Sequence, residues 1–314
     1  MVSIRPIKNT LLKRFVRPTI LQWRKSSMSE PCINQKGDCW KCDRIYMRFD
    51  CKVALITGGT SGIGLAAANE LLCKGAHKAV LAGTDPRKGS AAVEKLCNAH
   101  GKDKARYVEM NVNCLQQFEE VFKMMVDSFG GVDILFNNAG ILNDSKWEIE
   151  VDTNLKSVIH GTLLGFQYMG KETSCTRKKG VIVNNLDVVS MGVFPSAPMY
   201  TASKYGALGA TRCLTADYHF KKTGVRVVGL LCGPTDTPHV KDVSIDKAYD
   251  EEWGKDMVEA FNKQTTQNPA LVGRAFMHVV KFGTPGSMWT VEDGQLFRTV
   301  IPRRETFNIK VTQL

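Results

Sequence analysis

A short apolar run, Lys52-Val-Ala-Leu-Ile56, leads directly into Thr57-Gly-Gly-Thr-Ser-Gly-Ile-Gly64 and then into Leu65-Ala-Ala-Ala-Asn-Glu-Leu-Leu72. The first segment has strand composition and the last is helix-forming. Between them, glycines 58, 62 and 64 let the backbone turn tightly and approach a ligand closely. Strand, glycine-rich turn and helix in this order present backbone N–H groups and a helix N-terminus to a pyrophosphate. The glycine pattern gains its meaning from this placement, because the spacing of glycines alone is common.

The same rhythm continues down the chain. Lys78–Ala82 reads as a second strand, residues 88–99 as a helix, Ala105–Met110 as a third strand and residues 115–128 as a helix. Val132–Phe136 is a fourth strand, running into Asn137-Asn-Ala-Gly140; Gly180–Asn184 and Val225–Leu231 are the fifth and sixth. Ser287–Val291 reads as a seventh strand at the sheet edge. Alternating βα units predict a single α/β domain: a Rossmann-type, doubly wound parallel sheet with helices on both faces. Its ligand belongs at the carboxyl ends of the strands.

The domain is expected to occupy residues 47–314. Residues 1–46 form a basic extension, disordered or targeting: residues 1–50 carry eleven basic and four acidic side chains, with no acid before Glu30. A basic, acid-free, partly amphipathic start is the composition of a mitochondrial presequence, so the matrix is the alternative to an expected cytoplasmic address. The rest of the chain holds little of the +11 net charge, so nucleic-acid binding is not expected. No apolar run approaches the roughly 20 residues that span a bilayer. The ten cysteines are scattered. The lone pair Cys39 and Cys42 lacks the second pair or close histidines that a zinc site needs, and no metal is expected.

Tyr200 stands four residues before Lys204, which places both on one face of a helix. An ammonium there lowers a phenol's pKa and makes it a proton-transfer group. Thr57–Gly64, Asn137–Gly140, Asn154 and Tyr200-x-x-x-Lys204 fall in order over about residues 50–300, and together they resemble the short-chain dehydrogenase/reductase family. Residues 140–142, 268–280 and 287–296 are similar to insect alcohol dehydrogenases and NAD-dependent 15-hydroxyprostaglandin dehydrogenases. The resemblance implies an NAD(P)-dependent oxidoreductase interconverting a secondary alcohol and a ketone. Tyr200 would be general acid/base, Lys204 would hold the nicotinamide ribose, and Asn154 would kink a helix and hold a relay water. It implies cofactor contacts from Gly58, Thr60, Ser61, Gly62, Ile63 and Gly64, from Asn111 and Val112, and from Asn138, Ala139 and Gly140. It also implies a homodimer or homotetramer.

Three departures qualify that reading. Thirteen residues before Tyr200, where the family carries a serine, stands Asp187. An ionised carboxylate accepts but cannot donate, and it opposes both a developing alkoxide and the lysine's effect on Tyr200. Ser190 is a nearby hydroxyl. Catalysis with Asp187 as a participant, or a non-catalytic nucleotide- or ligand-binding protein, are both compatible with this change. Secondly, Gly233 and Pro234 stand where the family has Pro-Gly, and the loop reads as one residue short, leaving Thr237 or Thr235 to contact the nicotinamide amide. Thirdly, Asp85 follows the second strand and favours NAD through a ribose hydroxyl, while Arg87 and Lys88 beside it favour NADP. On the substrate side, Trp147, Phe194 and Met199 are candidate walls, with Trp253, Met257 and Phe261 on a covering helix, so an apolar substrate is expected.

Overall fold

The computed structural model describes residues 49–170, 180–302 and 304–307. The targeting reading of residues 1–46 and the Cys39–Cys42 pair lie outside the described residues. The strands are β1 (Val53–Thr57), β2 (Lys78–Gly83), β3 (Ala105–Glu109), β4 (Ile134–Asn137), β5 (Val181–Asp187), β6 (Arg226–Cys232), β7 (Met288–Glu292) and β8 (Gln295–Thr299). They form one sheet in the order β3-β2-β1-β4-β5-β6-β7-β8. All pairings are parallel except β7 with β8. The order reverses between β1 and β4, which makes their carboxyl ends the switch point where such sheets bind ligands.

The helices are α1 (Gly62–Cys73), α2 (Pro86–His100), α3 (Leu115–Phe129), α4 (Trp147–Val151), α5 (Ser157–Tyr168), α6 (Pro198–Leu214), α7 (Asp217–Thr223), α8 (Pro238–Lys241), α9 (Glu251–Lys263) and α10 (Pro269–Phe282). Alternate residues of β1 enter opposite cores. Ala54 and Ile56 pack with Leu71 of α1 and Phe276 of α10, whereas Val53 and Leu55 pack with Phe118 and Phe122 of α3. A strand buried on both faces needs a continuous apolar run rather than alternation, which is what residues 53–56 supply.

The seventh strand is real, but it lies inside the sheet. β8 takes the edge, joined to β7 by a two-residue turn in which Asp293 and Gly294 have φ of 48° and 71°. Glu292 pairs with Gln295 across it. Positive φ at both turn residues is the hairpin geometry that Asp-Gly favours, so residues 292–295 carried a signal for this strand. No helix among the described residues is long and apolar enough to cross a membrane.

Candidate active site

A cleft of about 440 Å³ opens at the carboxyl ends of β1, β4, β5 and β6. One wall is the turn after β1. Gly62 has φ +51°, and a Cβ there would lie 3.0 Å from the Thr237 methyl; a Cβ on Gly64 would lie 2.4 Å from the Gly58 carbonyl oxygen. The turn can therefore close only with glycine at these positions. Gly58, Ser61, Gly62 and Ile63 face the cleft, with Asn138, Ala139 and Gly140 opposite. Bare backbone beside the start of α1 fits a dinucleotide's pyrophosphate.

Hydrogen bonds lock the strand ends around this cradle. The Thr57 hydroxyl oxygen accepts from Asn138 N at 2.9 Å and Ala139 N at 3.0 Å. Asn138 Nδ2 donates to Thr57 O and Gly58 O, while its Oδ1 accepts from Asn185 Nδ2 at 2.9 Å. Asn185 Oδ1 in turn accepts from the Cys232 thiol at 3.0 Å. Burial pushes that thiol up, with the Asp187 charge adding to the effect, so it stays a neutral donor. The Asn138 side chain thus serves the scaffold. Asn185 and Cys232 are scaffold members that motif spacing did not single out.

Tyr200 and Lys204 lie on α6, both buried. Lys204 Nζ sits 5.5 Å from the Tyr200 ring centroid. Asn154 lies in a π-helical turn, Asp152–Lys156, between α4 and α5. Its side chain accepts from Ile141 N at 2.9 Å and donates to Ile141 O at 2.8 Å, and to the Ser203 hydroxyl at 3.1 Å. The expected kink is this π turn, and it ties the Gly140 loop to α6.

Asp187 closes β5. Its Oδ1 accepts from Val189 N at 2.9 Å and its Oδ2 accepts from the Tyr200 hydroxyl at 2.7 Å. The Tyr200 phenol is raised well above its ordinary value, by burial first and by Asp187 second. Lys204 is lowered by burial, against the pull of Asp187. Ser190 offers no substitute hydroxyl, since it donates to the Asp187 carbonyl at 2.5 Å and is fully buried.

A carboxylate pair behind the site was not visible in the motifs. Asp144, fully buried, accepts from Met199 N at 2.9 Å and Tyr200 N at 3.0 Å. It thereby caps the first turn of α6, where an anion is stabilised. Glu150 is buried beside it and accepts from Asn143 N at 2.8 Å. Burial, with Asp144 adding to it, pushes the Glu150 carboxyl up to about 8.

Other expectations are redistributed. Thr235 donates to Gly233 O at 2.8 Å and receives Gln267 Nε2, so its hydroxyl serves the loop. Thr237 precedes α8 and faces Gly62 across the cleft. Gly233 continues the sheet, its N–H donating to Val291 O. Thr60 lies beside Gly83, and Asp85 caps α2 by accepting from Arg87 N and Lys88 N. Asn111 and Val112 follow β3 at the same edge, where the Asn111 amide oxygen accepts from Asn113 N. None of Thr60, Asp85, Asn111 and Val112 lines the cleft. Phe194 and Phe261 do form a wall, meeting edge to face at 5.5 Å. Trp147 and Met199 do not line it: Trp147 is exposed and Met199 follows the α6 cap. Met257 is buried beneath the wall, and Trp253 packs outside on Tyr249. His239, unremarked in the sequence, also lines the cleft, its imidazole held down to about 4 by burial and Lys204 and so neutral near pH 7.

The comparisons agree with this arrangement. The chain is 32% identical over 240 residues to a 15-hydroxyprostaglandin dehydrogenase [NAD(+)] of Bos taurus, covering 75% of this chain and 88% of that protein. It is 31% identical over 246 residues to alcohol dehydrogenase 2 of Ceratitis capitata, covering 78% and 93%. Levodione reductase superposes with a TM-score of 0.68 at 23% identity, over 79% of this chain and 98% of that one. A short-chain dehydrogenase/reductase of Burkholderia phymatum in complex with NAD gives 0.64, also at 23%, over 74% and 87%. With the short chain dehydrogenase family model matching residues 52–248, across the glycine cradle, Asn154 and the Tyr200–Lys204 helix alike, this chain belongs to the short-chain dehydrogenase family.

Proposed function

We propose that the protein is an NAD-dependent oxidoreductase that interconverts a carbonyl compound and a secondary alcohol in the cleft between the glycine cradle and α6. The carrying observation is the convergence of Tyr200, Lys204 and Asn154 beside that cradle. When bound, the nicotinamide supplies or takes the hydride. Lys204 holds its ribose, Thr237 meets its amide, and the apolar wall of Val189, Phe194 and Phe261 receives the substrate. The NAD(+) dependence in the names of the prostaglandin dehydrogenase relatives supports NAD; Asp85 is engaged as the cap of α2, and Arg87 and Lys88 keep NADP as the alternative.

Tyr200 rests in its protonated form here. A phenol whose ionisation is opposed by burial and by Asp187 stays protonated near neutral pH, the form that donates to a carbonyl oxygen under reduction, and serves as base for an alcohol only at high pH. The bond between Tyr200 and Asp187 also supports a second reading, a nucleotide- or ligand-binding protein that has lost turnover. Following nicotinamide absorbance with both cofactors and a panel of ketones and secondary alcohols tests the choice. Turnover abolished by Tyr200→Phe supports the enzyme. Silence in the wild type with activity in Asp187→Ser supports the binding protein.

A further inference from the structure

The carboxylate of Asp187 lines the cleft beside Tyr200. Its Oδ2 is 2.7 Å from the Tyr200 hydroxyl oxygen, the donor that would otherwise serve a substrate carbonyl. The surrounding substrate wall is apolar, and the neighbouring His239 is neutral near pH 7. Among the described residues lining the cleft, Asp187 and Lys204 are the charged side chains, and Lys204 lies on the cradle side, near Gly140. The substrate end of the cleft thus carries a carboxyl group among apolar side chains, with the Lys204 ammonium on the cradle side, a low-dielectric setting in which a cationic partner is favoured.

We propose that the preferred reacting group is a protonated carbon–nitrogen double bond, an iminium that is reduced to an amine, with Asp187 as the residue that holds the cation. This rests on the hydride-transfer reading and changes its acceptor. A ketone gains negative charge on oxygen as it is reduced, beside the Asp187 carboxylate. An iminium arrives positive, and the carboxylate keeps it protonated, which is the form that accepts hydride. Dihydronicotinamide provides the hydride; the new C–H bond forms at the iminium carbon, and the π pair of C=N becomes the nitrogen lone pair. No proton moves in that step, so a phenol that resists ionisation is no handicap. The neutral amine then takes a proton from solvent and leaves as an ammonium. In the reverse direction, the same carboxylate stabilises the positive charge as it develops.

The test compares ring analogues on the full chain: 2-methyl-1-pyrroline against cyclopentanone as NADH-dependent substrates, and pyrrolidine against cyclopentanol as ligands in calorimetric titration of the NADH-bound protein. Wild type is expected to reduce the pyrroline with higher kcat/KM than the ketone, and to bind pyrrolidine over cyclopentanol. Asp187→Asn, which keeps size and an acceptor for Tyr200, is expected to cut both preferences by ~10². Asp187→Ser is expected to move the preference to the ketone. A wild type that favours the ketone, or an Asp187→Asn protein with unchanged ratios, overturns the iminium assignment and leaves the hydride reading standing. Asp187-dependent pyrrolidine binding without any turnover overturns both the reduction and the oxidoreductase reading, leaving only a cation-binding site. Absence of binding and turnover overturns everything proposed for the cleft.

Discussion

At Tyr200 two neighbours pull in opposite directions. Burial first, and Asp187 second by accepting the phenol's hydrogen, disfavour the phenolate; the Lys204 ammonium, 5.5 Å from the ring centroid, acts in the other direction. The conflict was legible in the sequence, because the thirteen-residue spacing placed the acid. What could not be read was whether Ser190 would intervene, since that depends on the turn after β5 directing its hydroxyl back to Asp187 O. Asp187→Ser is expected to lower the Tyr200 pKa, moving the rising, acid-side limb of any alcohol-oxidation profile to lower pH. The gain in turnover should be roughly 10²–10³, the usual worth of one such donor, measured as kcat against pH.

Glu150 makes a separate residue-scale prediction. A carboxyl raised from 4.5 to about 8 binds a proton in the folded state over a range where the unfolded chain has released it. Stability from this group is therefore highest below about pH 4.5, falls as pH rises towards 8, and is level above. Glu150→Gln should flatten that fall, seen as a smaller drop in Tm between about pH 5 and pH 8 than in wild type. Nothing in the sequence marked this residue. Its neighbours alternate polar and apolar in an ordinary short helix, and its partners, Asn143 N and the buried Asp144, come from the loop before α4.

Elements were legible where local chemistry decides them. The turn between β1 and α1 could be placed from its glycines, and the π turn around Asn154 was anticipated as a kink. β8, Gln-Leu-Phe-Arg-Thr, carries only a two-residue apolar core and so has little strand signal of its own beyond the Asp293-Gly294 turn. Helix against helix is less readable. α1 meets α10 at Gly273, where a Cβ would lie 2.8 Å from the Ala66 carbonyl oxygen, and no periodicity reveals which glycine makes such a contact. Gly273→Val should push α1 away and cost ~1–3 kcal/mol in urea unfolding. Because α1 opens at the cradle, dinucleotide binding should weaken as well. Gly64→Ala should abolish the thermal shift produced by NAD, because its Cβ strikes the Gly58 carbonyl inside the cradle.

At the scale of the molecule, the parallel sheet and its switch point followed from the βα alternation, but the surface left over did not. Two helices, α5 and α6, adjoin each other, and α6 carries Tyr200 and Lys204. They turn outward Leu163 and Tyr205, both large, apolar and exposed, and α4 adds Trp147 and Ile149. Ala202 is exposed on the same face of α6, and a Cβ on Gly209 would meet nothing within 4 Å, so a second backbone can come close. Exposed apolar side chains gathered on adjoining helices point to an association site. The homodimer or homotetramer that the family resemblance implies would meet through α5 and α6, which would stiffen the segment carrying Asn154, Tyr200 and Lys204. Light scattering should give twice the chain mass or more for wild type. Leu163→Glu should shift it to the monomer by placing a charge in the contact, with the far-ultraviolet spectrum unchanged because Leu163 packs in neither core. A monomeric wild type would remove the interface, and would leave the apolar face without a structural role in the folded chain.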